Sequence, residues 1–216
     1  MSATHLPIEL GEFTLRVGGR DLTVLHRKAL VTWLDEQIYL SSDETRQYGT
    51  VLWPASIALA LEIAERAADF RGTAVLELGA GVGLAGLAAA CVGGRVVQTD
   101  RDEDALAMCR DNAERNGVAI ACRAADWSTW TEVTRYDWII ASDILYRTSL
   151  HENLRAIFAC SLAPRGRLLI ADPLRSASVR LLEDMEREGW TVTMNRWTVG
   201  EGEDARALGV FEVAHR

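Results

Sequence analysis

The sequence predicts an α/β protein: a Rossmann-like, mostly parallel seven-strand sheet with helices on both faces, plus an N-terminal β-hairpin. Three observations predict it. From Thr73 onward, short apolar runs rich in Val, Ile and Leu alternate with longer segments of helical periodicity, the signature of repeated βαβ units. Five of those segments close on an acidic residue: Glu77, Asp100, Asp126, Asp143 and Asp172. The first of them, Thr73–Leu78, runs straight into a turn built on Gly79, Gly81 and Gly83. In an open parallel sheet, ligands sit beyond the carboxyl ends of the strands. Five carboxylates along that edge favour a cation and repel phosphate, which points to an enzyme that binds a positively charged nucleoside cofactor.

Taken in order, Glu12–Val17 and Asp21–His26 alternate apolar and polar residues around Gly18, Gly19 and Arg20, a hairpin signal. Lys28–Leu40 reads equally as helix or strand, and Ser41–Gly49 as a polar surface loop. Pro54 sits where a helix starts, and Ala55–Phe70 carries an amphipathic pattern through Ile57, Leu61 and Ala64. Leu84–Val92 has no charged residue, so this helix is expected against the sheet. Asp102–Asn116 is a charged amphipathic helix that stops at Gly117. Strands are expected at Val118–Arg123, Trp138–Ser142 and Arg167–Ala171, with helices at Leu150–Leu162 and Ala177–Glu188. Two further strands, Trp190–Thr198 and Leu208–Val213, follow one another without a helix, which implies one antiparallel strand. The division expected is 1–48 for the hairpin and a lid or extension, and 49–216 for the main domain.

Composition narrows the function. The 216 residues suit one domain with a full core. A net charge of -8 argues against a broad nucleic-acid-binding face. Lys28 is the only lysine. Cys91, Cys109, Cys122 and Cys160 have no metal-type spacing and read as small buried hydrophobes in a reducing compartment. His5, His26 and His215 have no partner pattern for a metal, and His151 reads as a solvated helix residue. No metal is expected. The N-terminus lacks a signal-peptide pattern, and the uncharged run Gly79–Gly94 is too short to span a bilayer. A cytoplasmic protein is expected.

Gly81, Gly83 and Gly86 also satisfy GxGxxG, the dinucleotide fingerprint. A buried carboxylate such as Glu77 beside a diphosphate is costly, whereas an ammonium and a sulfonium tolerate it. A tight turn with no ligand is the bland alternative.

The stretch Val75–Gly83 resembles motif I of the seven-strand S-adenosylmethionine-dependent methyltransferases. Asp100 stands where that family holds the ribose hydroxyls, and Asp126 with Trp127 where it contacts adenine. The segment Gly49–Ala55 with Trp53, and Ser142–Tyr146 with a DxxY pattern at Asp143 and Tyr146, resemble the family-16 lysine methyltransferases. Asp172-Pro173-Leu174-Arg175 is similar to their bacterial and mitochondrial members. The resemblance covers about Gly49 to the C-terminus and implies strand order 3-2-1-4-5-7-6. It implies S-adenosyl-L-methionine as cofactor, S-adenosyl-L-homocysteine as product, and N-methylation of a protein side chain, lysine first. The implied cofactor set is Trp53, Glu77, Gly79, Ala80, Gly81, Gly83, Asp100, Arg101, Asp126, Trp127 and Ser142. Asp143 and Tyr146 are the implied catalytic pair, with Trp53 also facing the acceptor.

A lysine amine has a reference pKa of about 10.4, so deprotonation near neutral pH costs roughly 4 kcal/mol. Positioning and desolvation are expected to supply most of the acceleration. Other readings stay open: Tyr146 as a core cap, Asp143 as a helix cap, Asp172 as turn punctuation, and Trp53 as a pocket wall. A small-molecule amine remains a possible acceptor, and a cofactor-binding module without turnover is a third reading. Nucleobase and glutamine methyltransferases place two prolines between an acid or amide and a tyrosine; here Ile144 and Leu145 stand instead, which argues against a nucleic-acid substrate.

Overall fold

The computed structural model describes residues 9–28 and 48–215. The expectations for Lys28–Leu40 and Ser41–Gly49, a lid role included, therefore lie almost wholly outside the described residues. Strands β1 (Leu10–Val17) and β2 (Arg20–Arg27) form an antiparallel hairpin in which Val17 faces Arg20 across the turn. Gly18 and Gly19 take φ of 57° and 83°, the left-handed region a two-residue hairpin turn requires.

The main sheet contains β3 (Ala74–Leu78), β4 (Arg95–Asp100), β5 (Ile120–Ala124), β6 (Tyr136–Ser142), β7 (Leu162–Asp172), β8 (Trp190–Val199) and β9 (Arg206–His215). Their order is β5-β4-β3-β6-β7-β9-β8, the 3-2-1-4-5-7-6 arrangement that the resemblance implies. Only β9 runs against its neighbours β7 and β8.

Side chains alternate between the two faces of these strands, and the core divides accordingly. Val75, Val96, Ile140 and Leu169 pack with α1 (Pro54–Glu65), α3 (Leu84–Cys91) and the hairpin residues Val17, Leu22 and Val24. Leu76, Leu78, Ile139, Leu168 and Ile170 pack with α5 (His151–Ser161) and α6 (Ser176–Arg187). Burial on both faces explains why the central strands read as unbroken apolar runs. Every residue of α3 from Leu84 to Ala89 is buried, as expected of a helix without charge.

Helix α4 (Glu103–Asn116) begins at Asp102, whose side chain accepts from the Asp104 N–H, and ends at Gly117 with φ 60°. Its inner face holds the hairpin through two amides one turn apart. Asn112 Oδ1 accepts from Leu25 N at 2.7 Å, and its Nδ2 donates to the carbonyls of Leu25 and Val82, both at 3.0 Å. Asn116 repeats the exchange with Thr23, at 2.9 and 2.7 Å. The amides thus satisfy β2 main-chain groups that no third strand covers. The hairpin turn lies beside Cys91 and Val92 at the far end of α3, so the hairpin is a side layer that shares the main core.

Three local expectations change. The predicted helix Ala55–Phe70 breaks at Arg66, which leaves helical geometry where its guanidinium reaches Glu212 at 2.7 Å; α2 (Ala67–Phe70) follows. Strand β7 starts at Leu162, not Arg167, because Tyr136 pairs with Leu162 and the register shifts before Arg167; Pro164 and Gly166 lie inside that irregular segment. The cysteines are not uniformly buried: Cys109 is buried, Cys91 and Cys122 half-buried, and Cys160 exposed, all unpaired.

Candidate active site

The glycine turn after β3 is shaped by contacts that leave no room for side chains. Gly79, Gly81 and Gly83 have φ of 64°, 56° and 84°, which side chains other than glycine's adopt only at a cost. A Cβ on Gly81 would lie 3.1 Å from the Gly49 carbonyl, and one on Gly83 would lie 2.8 Å from Gln98 Nε2. The Tyr48–Trp53 segment therefore rests on the turn, with Trp53 Nε1 donating to the Tyr48 carbonyl at 3.3 Å. Main-chain bonds fix the turn further: Ala80 N donates to Thr99 O at 3.0 Å and Gly83 N to Ala80 O at 2.8 Å.

Glu77 stands beneath this turn. It is buried, and its Oε2 accepts from Gly86 N at 3.1 Å and from Gln98 Nε2 at 2.6 Å. A Cβ on Gly86 would lie 2.3 Å from that oxygen. Burial pushes the Glu77 carboxyl up to about 8, against the pull of the Gln98 and Gly86 bonds. At neutral pH it is mostly uncharged, which alters the expectation drawn from five edge carboxylates. Its bonded oxygen braces the turn from below, between β3, β4 and α3. Gln98 and Asn112, which tie the turn to β4 and α4, were missed by sequence reasoning; two asparagines at i, i+4 spacing in α4 were the available signal.

Asp100 ends β4. Its Oδ2 accepts from Gly81 N and its Oδ1 from Asp102 N, both at 3.0 Å. Burial raises its carboxyl above the usual range, while those backbone donors pull it down. A carboxylate has about four acceptor sites, so two backbone bonds leave room for further donors. Arg101 follows, exposed. Asp126 caps the short turn Trp127–Thr129, with Oδ1 taking both the N–H and the hydroxyl of Ser128, at 2.8 and 2.6 Å. The Ser128 bonds hold its carboxyl below the usual range, helped by the charge of Arg101. Its Oδ2 remains for another donor.

Gly79 is where three loops meet. A Cβ there would lie 3.0 Å from Ile144, in the loop after β6, and 3.3 Å from Trp127, in the loop after β5. The structure thereby brings motif I, Asp126-Trp127 and the Asp143–Tyr146 loop to one crevice. Ser142 closes β6 opposite Ala171.

Asp143 takes φ 60°, and its N–H donates to Ala171 O at 2.9 Å. Its carboxylate pairs with the guanidinium of Arg175. Asp172 is fully buried and accepts from Arg175 N at 2.9 Å and Ser178 Oγ at 2.7 Å. It therefore does more than mark a turn. Tyr146 is half-buried, with the Arg147 guanidinium 5.8 Å from its ring centre. His151, expected in solvent, is half-buried, and its Nε2 lies 2.9 Å from the Leu145 carbonyl; that carbonyl belongs to the tight loop after β6 and has no strand partner. Among the described residues no group of His, Cys, Asp and Glu is arranged to hold a metal.

A glycine-lined turn, a carboxylate at the next strand end and a capping acid beside an indole stand together at the carboxyl edge of a Rossmann-like sheet. The chain belongs to the lysine methyltransferase family, whose model matches residues 34–187. It is 32% identical over 133 residues to protein N-lysine methyltransferase METTL21A of Xenopus tropicalis, covering 58% of this chain and 60% of that protein. Against the METTL21A of Danio rerio it is 31% identical over 190 residues, covering 83% and 84%. The chain thus spans about three-fifths of the first relative's length (60%). The fold is shared with a Thermus thermophilus 16S rRNA N2 G1207 methyltransferase solved with AdoMet and guanosine, at TM-score 0.64 and 22% identity, covering 100% of this chain and 53% of that one.

The residues present fit S-adenosylmethionine. The cradle at Gly79 and Gly81 is one a side chain would fill, and Asp100 and Asp126 keep acceptor capacity for ribose hydroxyls and an amino group.

Proposed function

We propose that this protein transfers a methyl group from S-adenosylmethionine to a lysine amine of a protein substrate. The observation that carries the reading is the convergence at Gly79 of the glycine turn, Trp127 and Ile144, which sets the DxxY loop against the cofactor cradle. Family membership and the METTL21A relatives, which are named as protein N-lysine methyltransferases, support the same acceptor.

In this reading Gly79, Ala80, Gly81 and Gly83 let the main chain approach the cofactor, Asp100 takes the ribose hydroxyls, and Asp126 with Trp127 and Arg101 borders the adenine. Ser142 and Trp53 line the opposite wall. Glu77 acts from beneath, holding the Gly86 end of α3 and Gln98 in place. When bound, the cofactor supplies an electrophilic methyl group on a sulfonium. Asp143 accepts a hydrogen bond from the acceptor amine and aims its lone pair, and Tyr146 closes the pocket and displaces water. Neither needs to take up a proton if the amine enters uncharged. The hairpin of β1 and β2, within the 1–48 portion, serves as a brace for α4, and 49–216 carries the site. A cytoplasmic setting belongs to this reading, supported by four unpaired cysteines. Among the described residues no helix is long and apolar enough to cross a membrane.

The test is to incubate the purified protein with methyl-labelled S-adenosylmethionine and lysate of its host, beside an Asp143→Ala control. Label on lysine in a discrete protein band, absent from the control, is expected. Label confined to the small-molecule fraction would move the acceptor to a free amine.

A further inference from the structure

We infer that Arg175 is a positioning and specificity-determining residue: paired with Asp143, it makes the acceptor pocket receptive to an uncharged amine and resistant to an ammonium ion. The inference rests on the methyl-transfer reading above. It starts from a geometric fact: the acid of the DxxY loop already has a cation beside it.

The pairing is built by the fold. Asp143 and Leu174, with φ of 60° and 65°, are the two non-glycine residues with positive φ among the described residues. They follow neighbouring strands, β6 and β7, at the same sheet edge. Backbone strain concentrated in this way marks sites whose surroundings over-determine them. The turn after β7 is closed by Asp172, whose Oδ1 accepts from Arg175 N and whose Oδ2 lies 3.5 Å from Arg175 Nη1. Ser178 Oγ donates to the same Oδ2 at 2.7 Å. Arg175 is therefore tied at its main chain and at its guanidinium. Its side chain is 17% exposed and that of Asp143 10%, so the pair is far less screened than a surface ion pair.

An unaccompanied Asp143 would work against the reaction. A carboxylate beside the acceptor favours ammonium over amine, and an ammonium has no lone pair to attack with. The N–C bond forms as the donor's C–S bond breaks, sulfur keeps that electron pair, and the proton shed beforehand goes to water. A fixed guanidinium weakens the attraction of Asp143 for a cation, while a carboxylate has more acceptor sites than one ion pair uses. Arginine suits the task because it stays charged throughout the pH range of the reaction. Among the described residues, the charged and titratable groups nearest the pair in sequence on these elements are Asp172 on β7, Tyr146 and Arg147 after β6, His151 at the start of α5 and Arg180 on α6. Glu152 and Arg155 lie further along α5, and Glu183, Asp184, Glu186 and Arg187 further along α6. Asp172 is committed to Arg175 and Ser178, His151 meets the Leu145 carbonyl, and Arg180 Nε donates to Ser176 O. Among the described residues Asp143 and Asp172 both pair with Arg175, whose charge offsets part of theirs at the acceptor edge.

The experiment compares the full-length protein, Arg175→Gln, and the double variant Asp143→Asn with Arg175→Gln. The probe is methyl-labelled S-adenosylmethionine with host protein extract, and initial label incorporation is followed from pH 6.5 to 9.5, with S-adenosylhomocysteine affinity measured alongside. Arg175→Gln should move the midpoint of the pH–rate curve up by about one unit, which lowers the rate near pH 7 about tenfold and narrows the gap at high pH. Its S-adenosylhomocysteine affinity should stay within about twofold, since a one-unit effect on the acceptor does not touch the cofactor half. The double variant restores the parent's net charge at this edge, with Asp172 still held by the main-chain N–H of residue 175 and by Ser178 Oγ, and should return to the parent midpoint at a lower rate. A parent midpoint in Arg175→Gln, or a shifted one in the double variant, would overturn the inference; the double variant alone decides if Arg175→Gln does not fold. No incorporation into protein by the parent at any pH would instead remove the methyl-transfer reading, and the inference with it.

Discussion

The two halves of the sheet edge solve one problem by different means. On the β3–β4–β5 side, polar groups are satisfied largely by nearby main chain: Asp100 by Gly81 and Asp102, Asp126 by Ser128, and Glu77 by Gly86 together with Gln98. On the β6–β7 side they are satisfied chiefly by side chains from the turn after β7 and the start of α6, Arg175 to Asp143 and Ser178 to Asp172. Positive φ falls on glycine in the first half and on Asp143 and Leu174 in the second. The first half is a pre-shaped cradle that local sequence specifies. The second is a strained, ion-paired clamp that exists only once two loops meet. The comparison also revises the electrostatics: with Glu77 mostly neutral and Asp143 paired, the crevice is less negative than its five acids suggest. Selectivity for a sulfonium nucleoside over a dinucleotide then rests on shape and on acceptors for hydroxyl and amine at least as much as on charge.

Changes confined to the cradle should give the largest effects. Gly83→Val meets both a positive φ and Gln98 at 2.8 Å, and strain plus overpacking should cost on the order of 4 kcal/mol. Thermal unfolding should fall steeply, and calorimetric titration should find no S-adenosylhomocysteine binding. Next comes the buried acid beneath it. Glu77 has its carboxyl raised from 4.5 to about 8 in the folded protein, so the native state binds more protons than the unfolded chain between those values. Stability from this group is present below about pH 4.5 and is lost as pH rises through about 8. Glu77→Gln should therefore flatten the fall in stability across that window and gain steadily on the parent as pH rises towards about 8, read by denaturant unfolding.

A smaller effect should separate the hairpin brace from both halves. Asn112→Ala leaves the Leu25 N–H and the Val82 carbonyl without their partner, at about 2 kcal/mol. Hydrogen exchange should quicken in β2 and around Val82, while β6 and β7 keep their protection. The smallest effect is expected at Arg115→Ala, which removes the exposed pair with Glu12. Such pairs contribute at most about 0.5 kcal/mol, so melting should be almost unmoved.

The same division explains what was legible in the sequence. The strand order follows from the family resemblance, whereas the buried α3, the helix from Asp102 and its stop at Gly117 follow from patterns carried by adjacent residues. So do Gly79, Gly81 and Gly83 as a turn, and the strand-ending positions of Asp100 and Asp126. What local pattern could not reveal depends on partners distant in sequence. Gln98 bridges Glu77 and Gly83, Asn112 reaches both Leu25 and Val82, and Arg175 crosses to Asp143. Glu77 was legible as part of a motif, but its uncharged state depends on burial that only packing creates. The early start of β7 and the break at Arg66 are tertiary overrides of the same kind, by Tyr136 and Glu212.

The central claim is that cofactor binding resides in the first half and transfer in the second. The most direct test measures S-adenosylhomocysteine affinity and methyl transfer side by side in Asp100→Asn and Asp143→Asn. Asp100→Asn should weaken binding at least about tenfold, the loss expected of a charged hydrogen-bond acceptor, and transfer should fall with it. Asp143→Asn should bind as the parent does while transfer drops on the order of a hundredfold or more. If Asp143→Asn lost binding as severely as Asp100→Asn, or kept full transfer, the two halves would not be separable and the claim would fail.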